Sequence, residues 1–269
     1  MELRLTRRRA FEASHRYEHE SPYGHGHNYV CQATVAGPLD EPSGMVVNVK
    51  ELDEALAAVV APLDHRFLNV EWSPLGGREP TTEVIASILH RQLAERVRGW
   101  PVRVAAVRLY ETDELWSETD EAEMICLTRV YSFSAAHRLH NPALSDEQNR
   151  ALFGKCNREH GHGHDYRLEV TVGGELDPRR GTVVDLAELD RVVQERVLAR
   201  WDHRHLNHEV PEFRELNPTS ENVVRVAWEL LAPHISSARL EKLVLWETPK
   251  SAFEYRGEQA ASRPGRRTG

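Results

Sequence analysis

The chain has 269 residues, 40% hydrophobic and 28% charged, with 16 Gly, 14 Pro and a formal net charge of −8. That is ordinary globular usage, which excludes disorder as the main state, and three Cys, an odd number, exclude a disulfide framework. No apolar run approaches the roughly 20 residues of a membrane helix, and no Lys/Arg-rich stripe offsets the negative charge, so neither membrane nor nucleic acid is an expected partner. The opening MELRLTRRRAFEASH lacks the apolar stretch of a secretory leader, so the expected location is reducing and cytoplasmic.

In chain order the sequence predicts strand, strand, helix, helix, strand, strand, and then the same six again. The first helix of the first copy carries Leu52, Leu56, Val59 and Leu63 on one side, and Pro80-Thr81-Thr82-Glu83 opens the second. Val104, Ala106 and Arg108 alternate with Ala105, Val107 and Leu109 in the third strand. Near Cys126 to Arg129 the copies join without a linker. In the second copy Leu168, Val170 and Val172 alternate with Glu169 and Thr171, the period of a half-buried strand. Leu186, Leu189, Val193 and Val197 then form a helical stripe, and Pro218-Thr219-Ser220-Glu221 opens a capped helix. Ser251 to Arg256 reads as the last strand. The fold class is α+β: two tandem domains, each a four-stranded antiparallel sheet with two helices on one face. The boundaries fall at residues 1–126 and 127–257, followed by a polar tail, 258–269, expected to be disordered.

The duplication rests on ordered matches. Phe11-Glu12-Ala13-Ser14-His15 recurs as Phe133-Ser134-Ala135-Ala136-His137, and Gly24-His25-Gly26-His27-Asn28-Tyr29 as Gly161-His162-Gly163-His164-Asp165-Tyr166. Asp64-His65 answers Asp202-His203, and Leu109-Tyr110-Glu111-Thr112 answers Leu245-Trp246-Glu247-Thr248. The second copy carries 15 more residues between its first His and its His-x-His, within Arg138 to Cys156.

Fifteen His are unusual, and their placement carries chemistry. His162 and His164, two apart at a strand, point to one face, and a hairpin lays His137 beside them. Three imidazoles with no obvious fourth ligand form the pattern of a zinc site open to water or substrate. The same triplet recurs as His15, His25 and His27; copper, nickel or iron would also accept such ligands. Cys156 lies in a polar loop beside Lys155 and Arg158, which favour thiolate. Cys31 and Cys126 sit in apolar strands and read as core. Asp202-His203 pairs a carboxylate with an imidazole, able to fix a tautomer or relay a proton, or simply to end a helix. Glu247 ends an apolar strand, where a carboxylate needs a donor from protein or ligand.

This set (Phe-Ser-Ala-Ala-His, Cys-x5-His-Gly-His-x-Tyr, Asp-His, Pro-Thr-x-Glu-Asn and Trp-Glu-Thr) resembles the 6-pyruvoyl-tetrahydropterin synthase / 6-carboxy-tetrahydropterin synthase family. The resemblance implies the tunnelling fold (T-fold), in which four-stranded units join into a barrel. It also implies a homo-oligomer, either three two-domain chains supplying a ring of six domains or another ring of six domains. It implies zinc on His137, His162 and His164, Cys156 as base, and Asp202 with His203 as proton relay. Glu247 would anchor a pterin with help from Thr219, Ser220 and Glu221, and Lys155, Arg138 or Arg158 would face the triphosphate. The implied substrate is 7,8-dihydroneopterin triphosphate. The expected product is 6-carboxy-5,6,7,8-tetrahydropterin, with loss of triphosphate and acetaldehyde, as on the route to queuosine. The alternatives are 6-pyruvoyl-tetrahydropterin by triphosphate elimination alone, or a non-catalytic zinc- and pterin-binding barrel. The first copy departs from the pattern: six residues before His25 stands His19, not Cys. It either completes the barrel without a base or uses Glu18, His19 or Glu20.

Overall fold

The computed structural model describes residues 1–18 and 21–258. His19 and Glu20, two of the alternative bases, lie outside the described residues, as does the tail beyond Glu258. The chain divides into two compact units, Met1–Arg129 with Gly173–Val184, and Val130–Val172 with Asp185–Gly269. Sequence repeats and compact units therefore differ in two segments: residues 127–129 and 173–184, second-repeat in sequence, pack with the first unit.

In the first unit, β1 (Glu2–His15) and β2 (His25–Pro38) form a long antiparallel hairpin. Helix α1 (Val49–Val60) follows, N-capped by Asn48, whose side chain accepts from Lys50 N at 2.9 Å. The short strand β3 (Arg66–Phe67) pairs parallel with β1 and leads into one turn of helix, α2 (Leu68–Glu71). Helix α3 (Thr82–Arg96), β4 (Arg103–Thr112) and β5 (Leu115–Asp120) complete the repeat. A four-residue turn then opens β6 (Ile125–His137), whose first five residues pair antiparallel with β5. The strand order is β3-β1-β2-β4-β5-β6. Alternation along β1 turns Phe11, Ala13 and His15 inward and leaves Glu12 and Ser14 outward. Leu52, Leu56, Ile85, Leu89 and Leu93 of the helices meet Val107 and Leu109 of the sheet in one dry core.

The second unit continues β6 from Val130 and repeats the plan with an added element. Helix α4 (Asp146–Phe153) stands on the 15-residue insertion and starts with a Ser145–Gln148 capping box. Strand β7 (His162–Gly174) follows, then helix α5 (Leu186–Val193), a π-helical turn (Gln194–Leu198) and a last turn, α6 (Ala199–Trp201). Strand β8 (Arg204–His205), helix α7 (Leu206–Glu209), helix α8 (Ser220–Leu231), β9 (Arg239–Thr248) and β10 (Ser251–Tyr255) complete it. The strand order is β10-β9-β7-β6, with β8 parallel to β6. Each unit thus has the expected α+β plan, helices over one face of an antiparallel sheet. Of the helical stripe read from the sequence, Leu189, Val193 and Val197 are fully buried and form the core face, while Leu186 at the helix start is only half-buried.

Candidate active site

In each unit the paired ends of the first hairpin bring three imidazoles together. His137 closes β6, and His162 and His164 open β7 on the inward face. Their ring centroids lie 4.6, 5.1 and 4.8 Å apart, and one nitrogen from each falls within 4.8 Å of the others. His137 is 1% exposed. Its Nδ1 donates to the Pro218 carbonyl at 2.8 Å, which leaves the Nε2 lone pair aimed into the cluster. That Nε2 lies 3.2 Å from His162 Nε2, against about 3.3 Å for two nitrogens on one tetrahedral zinc. Burial holds His137 down to about pKa 4, so the imidazole is neutral and ligand-competent at neutral pH. His164 Nε2 is buried and has no hydrogen-bond partner among the described residues. A buried orphan nitrogen beside two convergent imidazoles fits a metal ion.

Glu247, at the end of β9, borders the cluster: its Oε1 is 3.8 Å from His164 Nε2 and 3.9 Å from His137 Nε2. Ser220 Oγ donates to the same oxygen at 2.7 Å. Thr219 N-caps α8 by accepting from Asn222 N, and Glu221 is exposed. Tyr166 packs edge-on against His137 and His164. Its hydroxyl is pushed well above the ordinary tyrosine value, first by burial and then by the negative charge of Glu247 and Cys156. Cys156 sits on a 3-10 turn, Gly154–Asn157, half-buried, with its carbonyl accepting from Leu139 N at 2.9 Å. Arg138 Nε donates to Asn157 O at 3.2 Å, while Lys155 and Arg158 are exposed.

The structure does not bring Asp202 and His203 to the cluster. Asp202 Oδ1 accepts from Ser134 N at 2.8 Å and His203 N donates to Ser134 O at 2.6 Å, so the pair hangs beside an outward-facing residue of β6. His203 adopts φ 57°, rare for a non-glycine residue, and its side chain is 82% exposed. Its Nδ1 lies 3.0 Å from Asp202 Oδ2. The Ser134 amide, ahead of the His203 contact, holds the Asp202 carboxyl below its usual range.

The first unit repeats the cluster. His15 Nδ1 lies 3.1 Å from Pro80 O, and its Nε2 is 3.0 Å from His25 Nε2. His27 Nε2 is 3.7 Å from Glu111 Oε1. Tyr17 and Tyr29 pack edge-on against His15. Asp64 and His65 take the same outward pose, with His65 at φ 57° and its Nε2 3.3 Å from Glu12 Oε2. Glu18 is exposed. Cys31 is a buried thiol pushed up to about 12, as a core residue should be. Tyr166 and the proline carbonyls were not singled out as site residues from sequence, though both lie inside the repeated motifs.

Fold and site together define a duplicated α+β protein with a three-histidine, carboxylate-bordered centre in each repeat. The family model for 6-pyruvoyl tetrahydropterin synthase matches residues 4–122 and again 126–258. The chain belongs to that family, lyases that process pterin triphosphates. It is 42% identical over 132 residues to the 6-pyruvoyl tetrahydrobiopterin synthase of Poecilia reticulata, covering 49% of this chain and 90% of that one. The solved 6-pyruvoyl tetrahydropterin synthase of Caenorhabditis elegans is 44% identical, with TM-score 0.49, over 50% of this chain and 96% of that chain. The 6-carboxy-5,6,7,8-tetrahydropterin synthase of Haemophilus influenzae is 26% identical over 152 residues, 49% of this chain and 99% of that one. Among the described residues no helix is long and apolar enough to cross a membrane.

Proposed function

We propose that the second domain eliminates triphosphate from 7,8-dihydroneopterin triphosphate to give 6-pyruvoyl-tetrahydropterin. The observation that carries this reading is the convergence of His137, His162 and His164 with Glu247 alongside, in a repeat whose sequence sets Cys156 six residues before His162. The pyruvoyl product is preferred to the carboxy product expected from sequence because relatives bearing that name are 42% identical, against 26% for the carboxy-type relative. Cys-x5-His spacing points the same way.

His137, His162 and His164 would hold zinc. When bound, zinc would polarise substrate oxygens and acidify the neighbouring side-chain positions. The residues divide the remaining work. Glu247, oriented by Ser220, accepts N–H bonds from the pterin edge. Cys156, as thiolate, takes the side-chain proton. Asp202 and His203 face outward, so their proton-relay role requires that they serve a centre in an adjoining domain of a homo-oligomer. The first domain keeps a metal-competent triad but has no Cys in the equivalent loop, and we assign it zinc binding and barrel completion without turnover.

Mass spectrometry of the products from zinc-loaded protein and 7,8-dihydroneopterin triphosphate tests the reading. A 6-pyruvoyl product with free triphosphate is expected. A 6-carboxy product with acetaldehyde would move the enzyme to the carbon–carbon-cleaving branch, and no turnover from folded, zinc-bound protein would favour the binding barrel.

A further inference from the structure

The two repeats hold their Asp-His pairs on the same scaffold. In the second, Ser134 N donates to Asp202 Oδ1 at 2.8 Å and His203 N to Ser134 O at 2.6 Å. In the first, Glu12 N donates to Asp64 Oδ1 at 3.0 Å and His65 N to Glu12 O at 2.6 Å. Both histidines stand at φ 57°, and each turns Nδ1 to its aspartate at 3.0 Å. Side-chain exposure is similar too, 73% for His65 and 82% for His203. Backbone, first partner and solvent access are therefore matched, and the difference between the two pairs lies in what meets Nε2.

One cross-strand pair sets that difference. Glu12 of β1 stands opposite Asn28 of β2, and the repeat equivalents of these two residues are Ser134 and Asp165. Each pair carries one carboxylate, but on opposite strands. In the second repeat Ser134 Oγ donates to Asp165 Oδ1 at 2.6 Å, so hydroxyl and carboxylate satisfy each other. His203 Nε2 then meets no partner among the described residues. In the first repeat the carboxylate belongs to the residue whose carbonyl receives the histidine amide, and Glu12 Oε2 lies 3.3 Å from His65 Nε2.

The consequence is chemical. A histidine relay accepts a proton on one nitrogen while a carboxylate steadies the other. His203 meets this requirement: Asp202 faces Nδ1, and the Nε2 lone pair is left to the outside. His65 faces an acceptor at each nitrogen, Asp64 at Nδ1 and Glu12 at Nε2, so neither nitrogen is open to a substrate proton. We infer that Glu12 is a positioning residue that withdraws Asp64 and His65 from proton transfer, leaving Asp202 and His203 as the chain's working relay. The reaction so served rests on the lyase reading above; the contact itself does not. The first repeat thus lacks the cysteine and has its relay tied up, so both proton-handling parts are disabled in the same copy.

Diethyl pyrocarbonate acylates imidazole through an unprotonated nitrogen, so labelling of the zinc-loaded full chain, read peptide by peptide by mass spectrometry, reports an open Nε2 independently of turnover. His203 should label roughly threefold faster than His65, the scale of an exposed carboxylate–imidazole contact. Glu12→Ser and Glu12→Leu should each bring His65 up to the rate of His203; leucine keeps the bulk, so its effect reads the lost carboxylate rather than opened space. Moving the carboxylate the other way, with Ser134→Glu and Asp165→Asn together, should slow His203. Equal labelling in the parent, or a His65 rate that neither Glu12 variant raises, would overturn the inference. Turnover gives a second arm: His65→Ala should keep the parental kcat, while His203→Ala should lose about 100-fold. A comparable loss from His65→Ala, or none from His203→Ala, would also overturn it. Absence of turnover in the parent itself would count against the lyase reading, and the labelling would still decide the contact.

Discussion

At the scale of single residues the site depends on which nitrogen each imidazole offers. Pro218 O fixes His137 with Nε2 turned toward His162, and Pro80 O sits against His15 Nδ1 with Nε2 toward His25. Two zinc ions per chain are therefore expected, falling to one with either His164→Ala or His27→Ala; atomic absorption on purified variants reads this directly, and a count that stays at two would remove the three-histidine assignment. The clustering of the histidine triplets was legible in the sequence because spacing of two on a strand forces both imidazoles to one face. The proline carbonyls were not, since a backbone oxygen carries no sequence signature. Nor was the outward pose of Asp202 and His203, set by main-chain bonds to Ser134. Glu83 gives a pH prediction. Burial raises its carboxyl above 4.5, so the unfolded chain loses that proton first. Its contribution to stability is full below pH 4.5 and falls as pH rises through the folded value. Glu83→Gln should gain melting temperature relative to the parent as pH rises from 4.5 toward neutrality; a difference independent of pH would contradict the buried carboxyl.

Among the elements, the insertion that carries Cys156 is held by two asparagines. Buried Asn149 accepts from Asn141 N and donates to the carbonyls of Asn141, Leu144 and Ser145, while Asn157 Nδ2 donates to Leu139 O at 2.7 Å. Asn149→Ala removes the side-chain partner of Asn141 N and of the Leu144 carbonyl, which costs about 1–3 kcal/mol locally. The expected result is faster hydrogen exchange across 140–156 and a roughly tenfold lower kcat with zinc content unchanged; unchanged exchange would show that the loop is held otherwise. The length of this insertion was legible from the offset between repeats, but its helix was not anticipated. The π-helical turn at Gln194–Leu198 has a simple origin. From Val184 to Asp202 the second repeat has one residue more than the first has from Val47 to Asp64. An i→i+5 turn absorbs that residue while Val197 and Trp201 stay buried.

For the whole molecule, duplication separates roles that one repeat would have to combine. Both repeats keep the triad and the bordering glutamate, and only the second keeps the cysteine. Stripping zinc should therefore abolish turnover; if circular dichroism also collapses, the metal is structural as well. The tandem duplication was legible, because the two repeats carry the same motifs in the same order. The assignment of 173–184 to the first unit was not, since packing between distant segments leaves no local pattern. The most direct test is the rate of triphosphate release from 7,8-dihydroneopterin triphosphate by zinc-loaded Cys156→Ala beside the parent chain. A loss of about 100-fold or more, with zinc retained, is predicted for removal of a catalytic base. Release at the parental rate would contradict the second domain as the working site and return the activity to the first.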